Sequence, residues 1–209
     1  MTPRAVLWDF GGVILSSPFE AFNRFEAAAG LPRDLIRTVN STNPDSNAWA
    51  LLERNEITPL QFDVLFASES AALGHEVRGA DVLALLSGDI RPRMVAALRS
   101  VIEAGLLTAC LTNNVVAKVT EDERSRAVAD VMSLFHVVIE SSKVGCRKPE
   151  PRFYEIACEQ LGVRPSECVF LDDLGINLKP AAAMGMRTIK VGDPDVALAE
   201  LGGHLDMQF

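Results

Sequence analysis

The feature that most constrains this chain is a series of short apolar runs, each ending in a polar residue and separated by helical patterns. The runs cover residues 5–8, 106–111, 135–139, 169–171 and 188–191. They are too short for buried helices and suit strands covered on both faces. Between them, Pro92 opens a helix with Val95, Leu98, Val101 and Ile102 on one face, closed by Gly105. A charged helix is expected over roughly residues 118–134, and the mixed charge run Glu121 to Arg126 reads as its solvated face. Pro151 opens another helix, ended by Gly162. Pro180 lacks an N–H and is expected in the first turn of a helix ending at Gly185. A last helix follows Pro194. Strands alternating with helices predict an α/β fold, a doubly wound parallel sheet.

One long stretch breaks the alternation. Residues 16–89 contain no convincing strand. Phe19, Phe22, Phe25 and Ala29 recur at helical spacing until Gly30-Leu31-Pro32 stops them, and residues 46–55 and 58–73 read as further helices. In the latter, Thr58 is the expected N-cap and Pro59 the first helical residue. Leu60, Val64, Ala67 and Ala71 form its expected apolar stripe. The chain therefore divides into a core of residues 1–15 and 90–209 and a helical insertion, residues 16–89, after the first strand.

Composition narrows the partners. The formal net charge is −8, and a diffuse acidic surface repels nucleic acid and anionic membrane. No apolar run approaches the ~18 residues that span a bilayer, and the first apolar run meets Asp9 too soon for a signal peptide. A cytoplasmic location is expected. Cys110, Cys146, Cys158 and Cys168 have neither metal-finger nor redox spacing. They read as reduced packing residues, with only Cys146 expected near the surface. His75, His136 and His204 match no motif and read as structural or surface residues.

In doubly wound sheets, ligands bind at the carboxyl ends of the strands. Asp9-Phe10-Gly11-Gly12 follows the first run, Thr112-Asn113-Asn114 the second, a loop ending in Lys148-Pro149 the third, and Asp172-Asp173 the fourth. Thr112-Asn113 in isolation reads as a turn, and Lys148 in isolation as a solvated loop lysine. Together they place acids, a hydroxyl and a lysine along one edge. Three carboxylates this close cannot all stay ionised without a cation. Magnesium suits them, since it binds one or two carboxylates together with phosphate and water. The set fits phosphoryl transfer. Lys148 and the metal neutralise phosphate charge, Thr112 and Asn113 donate hydrogen bonds, and an in-line carboxylate attacks.

The segments WDFGGVIL, CLTNN, KVGCRKPEPRFY and VFLDDLGINLKPAAAMGM resemble, in order, the motifs of the haloacid dehalogenase superfamily. The last three are also similar to the phosphatase domain of soluble epoxide hydrolase and to the domain fused to acyl-CoA dehydrogenase-like proteins. The resemblance implies that Asp9 is nucleophile and metal ligand, and that the Gly11 carbonyl and Asp173 are further ligands. It implies that Asp172 orients Lys148, that Asn177 supports the metal shell, and that residues 16–89 form a cap selecting a small phosphorylated metabolite. Gly12, Asn114 and the cap's Arg54 complete the expected substrate contacts. Trp49 and Asn43 read instead as packing or exposed residues. A monomer or homodimer is expected.

One position departs from the family pattern. An aspartate usually stands two residues after the nucleophile, where it protonates the leaving group and activates water. Here the residue is Gly11. General acid catalysis is typically worth ~10²–10⁴-fold, so its loss favours leaving groups that are already weak bases, such as sugar-1-, acyl or aryl phosphates. Two rival readings stay open: a non-catalytic relative that binds a phospho-ligand or partner, and a carbon–halogen hydrolase using Asp9.

Overall fold

The computed structural model describes residues 2–114 and 122–209. Its core is one five-stranded parallel sheet made of β1 (Ala5–Trp8), β2 (Leu107–Thr112), β3 (Val137–Glu140), β4 (Cys168–Asp172) and β5 (Arg187–Lys190). Their spatial order is β3-β2-β1-β4-β5. The order reverses at β1, so Asp9 emerges at the switch point, between the ends of β2 and β4.

Every residue of β1 is fully buried, because helices cover both faces. Val6 and Trp8 point to a layer with Met94, Leu98, Val169, Leu198 and Leu201. Ala5 and Leu7 point the other way, to Phe153, Tyr154, Phe170 and Ala181. The two-residue alternation of a strand sends neighbours to opposite faces.

Between β1 and the first core helix the chain forms only helices. These are α1 (Phe19–Ala28), α2 (Leu35–Ser41), α3 (Ala48–Glu53), α4 (Pro59–Ala72) and α5 (Gly79–Ala84). They enclose their own apolar cluster of Phe22, Ile36, Val39, Leu52, Phe62, Phe66 and Val82. The insertion leaves and rejoins the core at one place, where Leu15 bridges Ile90 and Ser16 N–H donates to Asp89 O at 2.8 Å. The core continues with α6 (Pro92–Glu103), α7 (Glu123–Met132), α8 (Ser141–Val144), α9 (Pro151–Leu161), α10 (Gly175–Ala183) and α11 (Pro194–Leu205). Glu121 and the expected start of the charged helix at residue 118 lie outside the described residues. Among the described residues, no helix is long and apolar enough to cross a membrane.

Three expectations are corrected. The first concerns α4. Its Thr58 cap and Pro59 start stand, with a reciprocal Thr58–Gln61 capping box. The stripe through Leu60 and Val64, however, faces solvent, those residues being 82% and 66% exposed. The buried face carries Phe62, Asp63, Phe66 and Ser70. Two stripes compete on this helix. The aromatic one wins because Phe62 packs on both Phe66 and Trp49, with ring centroids 5.3 and 5.5 Å apart. The polar atoms it drags inward are satisfied: Asp63 pairs with Arg78 and accepts from Ala80 N, and Ser70 Oγ accepts from Val77 N. The second concerns Pro180, which lies inside α10 rather than in its first turn. The lost hydrogen bond would have gone to the carbonyl of Ile176, a residue that is 54% exposed. The third concerns Cys146, which is buried beneath the lysine loop, like the other three free cysteines. His136 is structural: Thr108 N–H donates to its Nδ1 at 3.1 Å, tying β2 to the start of β3.

Candidate active site

The carboxyl ends of the strands bring Asp9, Thr112, Lys148, Asp172 and Asp173 together. Lys148 is the centre. It is 1% exposed, and its Nζ lies 2.8 Å from Asp9 Oδ1 and 2.8 Å from Asp172 Oδ2. Burial alone would lower the lysine pKa, but the two carboxylates outweigh it and hold the ammonium charged well above the ordinary lysine range. Its cation also stands 5.7 Å from the Phe170 ring centroid.

Asp172 is wholly committed. Oδ1 accepts from Leu174 N at 2.8 Å and from Asn177 Nδ2 at 3.1 Å, and Oδ2 accepts from Asn177 Nδ2 and Lys148 Nζ. The Asn177 backbone is fixed in turn, since its main-chain carbonyl accepts from Tyr154 Oη at 2.7 Å, and its side-chain amide donates to both oxygens of Asp172.

Asp9 is the less occupied acid. Oδ1 takes the Phe10 N–H at 2.6 Å and Lys148, while no described residue donates to Oδ2. Burial raises the Asp9 pKa well above the carboxylate range, and the Lys148 charge opposes that only in part. Asp173 is pushed up to about 6, first by burial and then by the neighbouring Asp172 charge. Carboxylate oxygens of Asp9, Asp172 and Asp173 all lie within 4.8 Å of one another. One lysine does not neutralise three acids, and the strain on Asp9 and Asp173 is what a divalent cation relieves. The donor set thus fits magnesium, with Asp9 and Asp173 free to ligate.

The Gly11-Gly12 turn is shaped around this cluster. Gly12 has φ +78°, and a Cβ there would overlap the Asp173 carboxylate. Its carbonyl accepts from Arg91 Nη1 at 2.8 Å, so the core segment that follows the insertion braces the loop. Ser17 Oγ donates to Asp173 Oδ2 at 3.3 Å. Gly11 has an ordinary φ of −71°, and a Cβ there would meet nothing within 4 Å.

The other expected contacts fall differently. Thr112 ends β2, 7% exposed. The Asn113 side chain is engaged by Lys148: its Oδ1 accepts Lys148 N–H at 2.9 Å and its Nδ2 donates to Lys148 O at 2.9 Å. It braces the lysine loop, so its amide is not open to a phosphate. Asn114 is likewise held, by Glu140 and Ser142. Arg54 turns to Glu56 at 2.6 Å and to the Asp45 carbonyl. Its neighbour Glu53 is the side chain that reaches the core, meeting Arg147 at 2.8 Å and Asn113 at 3.3 Å. Glu53 carries no motif signal, Arg147 lies in the lysine motif without an expected role of its own, and their sequence positions gave no reason to pair them.

A family model described as haloacid dehalogenase-like hydrolase matches residues 3–185. The mouse acyl-CoA dehydrogenase family member 10 is 34% identical over 95% of this chain, and the mouse bifunctional epoxide hydrolase 2 is 33% identical over all of it. The chain spans only 19% and 40% of those two proteins. Phosphatase MT3486 of Mycobacterium tuberculosis (strain CDC 1551 / Oshkosh) is 32% identical over 91% of this chain and 88% of its own length. Among solved structures, the HAD family enzyme bt-2542 of Bacteroides thetaiotaomicron, in complex with magnesium and inorganic phosphate, shares the fold. Its TM-score is 0.60 at 22% identity, over 91% of this chain and 96% of that one. Fold, site and sequence similarity agree: this chain belongs to the haloacid dehalogenase-like hydrolases.

Proposed function

We propose that this hydrolase is a magnesium-dependent phosphatase acting on a small phosphate monoester through Asp9. The observation that carries the reading is the placement of Lys148 between Asp9 and Asp172 beside a third acid, Asp173. Magnesium bound to Asp9, Asp173 and the Gly11 carbonyl would supply positive charge against the phosphate oxygens. Asp9 Oδ2 attacks phosphorus while the bond to the leaving oxygen breaks, giving an aspartyl-phosphate. Water then attacks phosphorus, releasing inorganic phosphate and restoring the carboxylate. Lys148 favours the ionised form of Asp9, which magnesium completes, and stabilises charge on the transferring group, and Thr112 donates to it. Asp172 keeps Lys148 in place.

The insertion of helices α1–α5 serves as the cap over the site. Because Gly11 offers no acid, the leaving oxygen takes its proton from water, which favours sugar-1-, acyl or aryl phosphates. The relative named a phosphatase, and the neighbour solved with magnesium and phosphate, support this reading. A carbon–halogen hydrolase would also use Asp9 but gives no reason for the raised Asp173 pKa and the three-acid cluster. A phosphatase screen with magnesium, run beside Asp9→Asn, tests the proposal. The substitution should cost at least ~10³-fold in kcat, and activity that survives it would remove Asp9 from the reaction.

A further inference from the structure

Among the described residues, the insertion meets the core at a buried charged contact remote from the connection at Leu15 and Ile90. Glu53, the last residue of α3, is 6% exposed. Its Oε1 accepts from Trp49 Nε1 at 2.9 Å. Its Oε2 lies 2.8 Å from Arg147 Nε and accepts from Asn113 Nδ2 at 3.3 Å. Beyond that ion pair, Arg147 donates a hydrogen bond through Nη1 to the Pro44 carbonyl at 3.0 Å, so it meets the insertion at two points. Burial raises the Glu53 pKa, and the Arg147 charge opposes that rise.

The contact does not end at Arg147. The Asn113 amide has two hydrogens. One goes to the Lys148 carbonyl and the other to Glu53, while its oxygen receives the Lys148 N–H. A continuous path therefore runs from Glu53 through Asn113 to the Lys148 backbone, and on to the ammonium between Asp9 and Asp172.

We propose that Glu53 is a positioning residue that registers the cap against the lysine loop, by engaging Arg147 and Asn113 only when the cap is seated. The proposal rests on the phosphatase reading for its kinetic consequence but not for its structural one. A buried ion pair contributes little net stability compared with apolar packing, yet removing one partner strands the other. Such a pair is suited to selecting one docked arrangement. Were the cap to lift from the core, both charges would return to water and the pair would break.

The test uses the full chain and three variants: Glu53→Ala, Arg147→Ala and the charge exchange Glu53→Arg with Arg147→Glu. Hydrogen–deuterium exchange is read over residues 43–54 and 141–150, with residues 92–103 as an internal control. Each single variant should exchange at least tenfold faster in both segments and unchanged in the control. The exchanged pair should recover most of that protection. In parallel, kcat/KM for p-nitrophenyl phosphate with magnesium should fall at least tenfold in each single variant and recover in the pair. Thermal melting shows that each variant folds. Wild-type protection at 141–150 in Glu53→Ala, or a folded charge exchange no better than the single variants, would overturn the proposal. If the wild type turns over no phosphate ester, the phosphatase reading fails, while the exchange measurement still decides the role of Glu53.

Discussion

Gly12 and Asp173 occupy each other's space: the position of a Cβ on Gly12 is taken by the Asp173 carboxylate, and the Gly12 backbone has φ +78°. The acid that follows β4 can approach the turn that follows β1 only because residue 12 is glycine. Gly12→Ala should therefore displace Asp173 as well as strain the turn. Isothermal titration with magnesium is expected to show at least tenfold weaker binding. Wild-type affinity would mean that Asp173 does not ligate.

Gly11 makes the opposite prediction. Its neighbourhood is open and its φ ordinary, so a longer side chain fits. Gly11→Asp should supply the missing acid. Turnover of glycerol phosphate should rise at least tenfold, within the ~10²–10⁴-fold typical of general acid catalysis. Turnover of p-nitrophenyl phosphate, whose leaving group needs little help, should change much less. An equal change in both would sink the leaving-group argument.

Lys148 places one positive charge between Asp9 and Asp172 within the core. Lys148→Met keeps the length but strands two buried carboxylates. Breaking such a pair costs about 3–5 kcal/mol. A urea titration should show a loss of that size, larger at pH 8 than at pH 5, where the acids take up protons. An unchanged midpoint at pH 8 would show that the charges are screened by water.

The raised acids also set the metal-free pH dependence. Asp173 has a folded value of about 6 against an ordinary 3.8, and Asp9 is shifted the same way. The folded state then holds protons that the unfolded chain has already lost. The stability this provides is present below the ordinary carboxylate range and declines as pH rises through about 6. Without metal, the wild type should melt at a lower temperature at pH 7 than at pH 5. Asp173→Asn should flatten the difference, and magnesium should restore stability at pH 7 but not at pH 5. A metal-free melting temperature that rises from pH 5 to pH 7 and is unaffected by Asp173→Asn would contradict the shift.

The two faces of α4 give a check on packing. Phe66→Ala should cost about 3–5 kcal/mol, because Phe66 is fully buried against Phe62. Leu60→Ser and Val64→Ser should each change stability by less than about 0.5 kcal/mol. Denaturant unfolding distinguishes the two sets directly.

The sequence by itself determined the sheet, the insertion and the acids that gather at the strand ends. Apolar runs of strand length ending at Asp9, Thr112 and Asp172 need only local pattern to be read, and a doubly wound sheet has one functional edge. It did not determine which stripe of α4 is buried, because both stripes share the same helical period. Only contact with Trp49 and the rest of the insertion chooses Phe62 and Phe66 over Leu60 and Val64. Nor did it reveal that Asn113 braces the Lys148 loop, or that Glu53 rather than Arg54 reaches the core. Those facts depend on side chains far apart in the chain, whose partners are set by how the insertion docks on the sheet. Adjacency along the chain fixed which side chains stand at the strand ends, and docking decided what surrounds them.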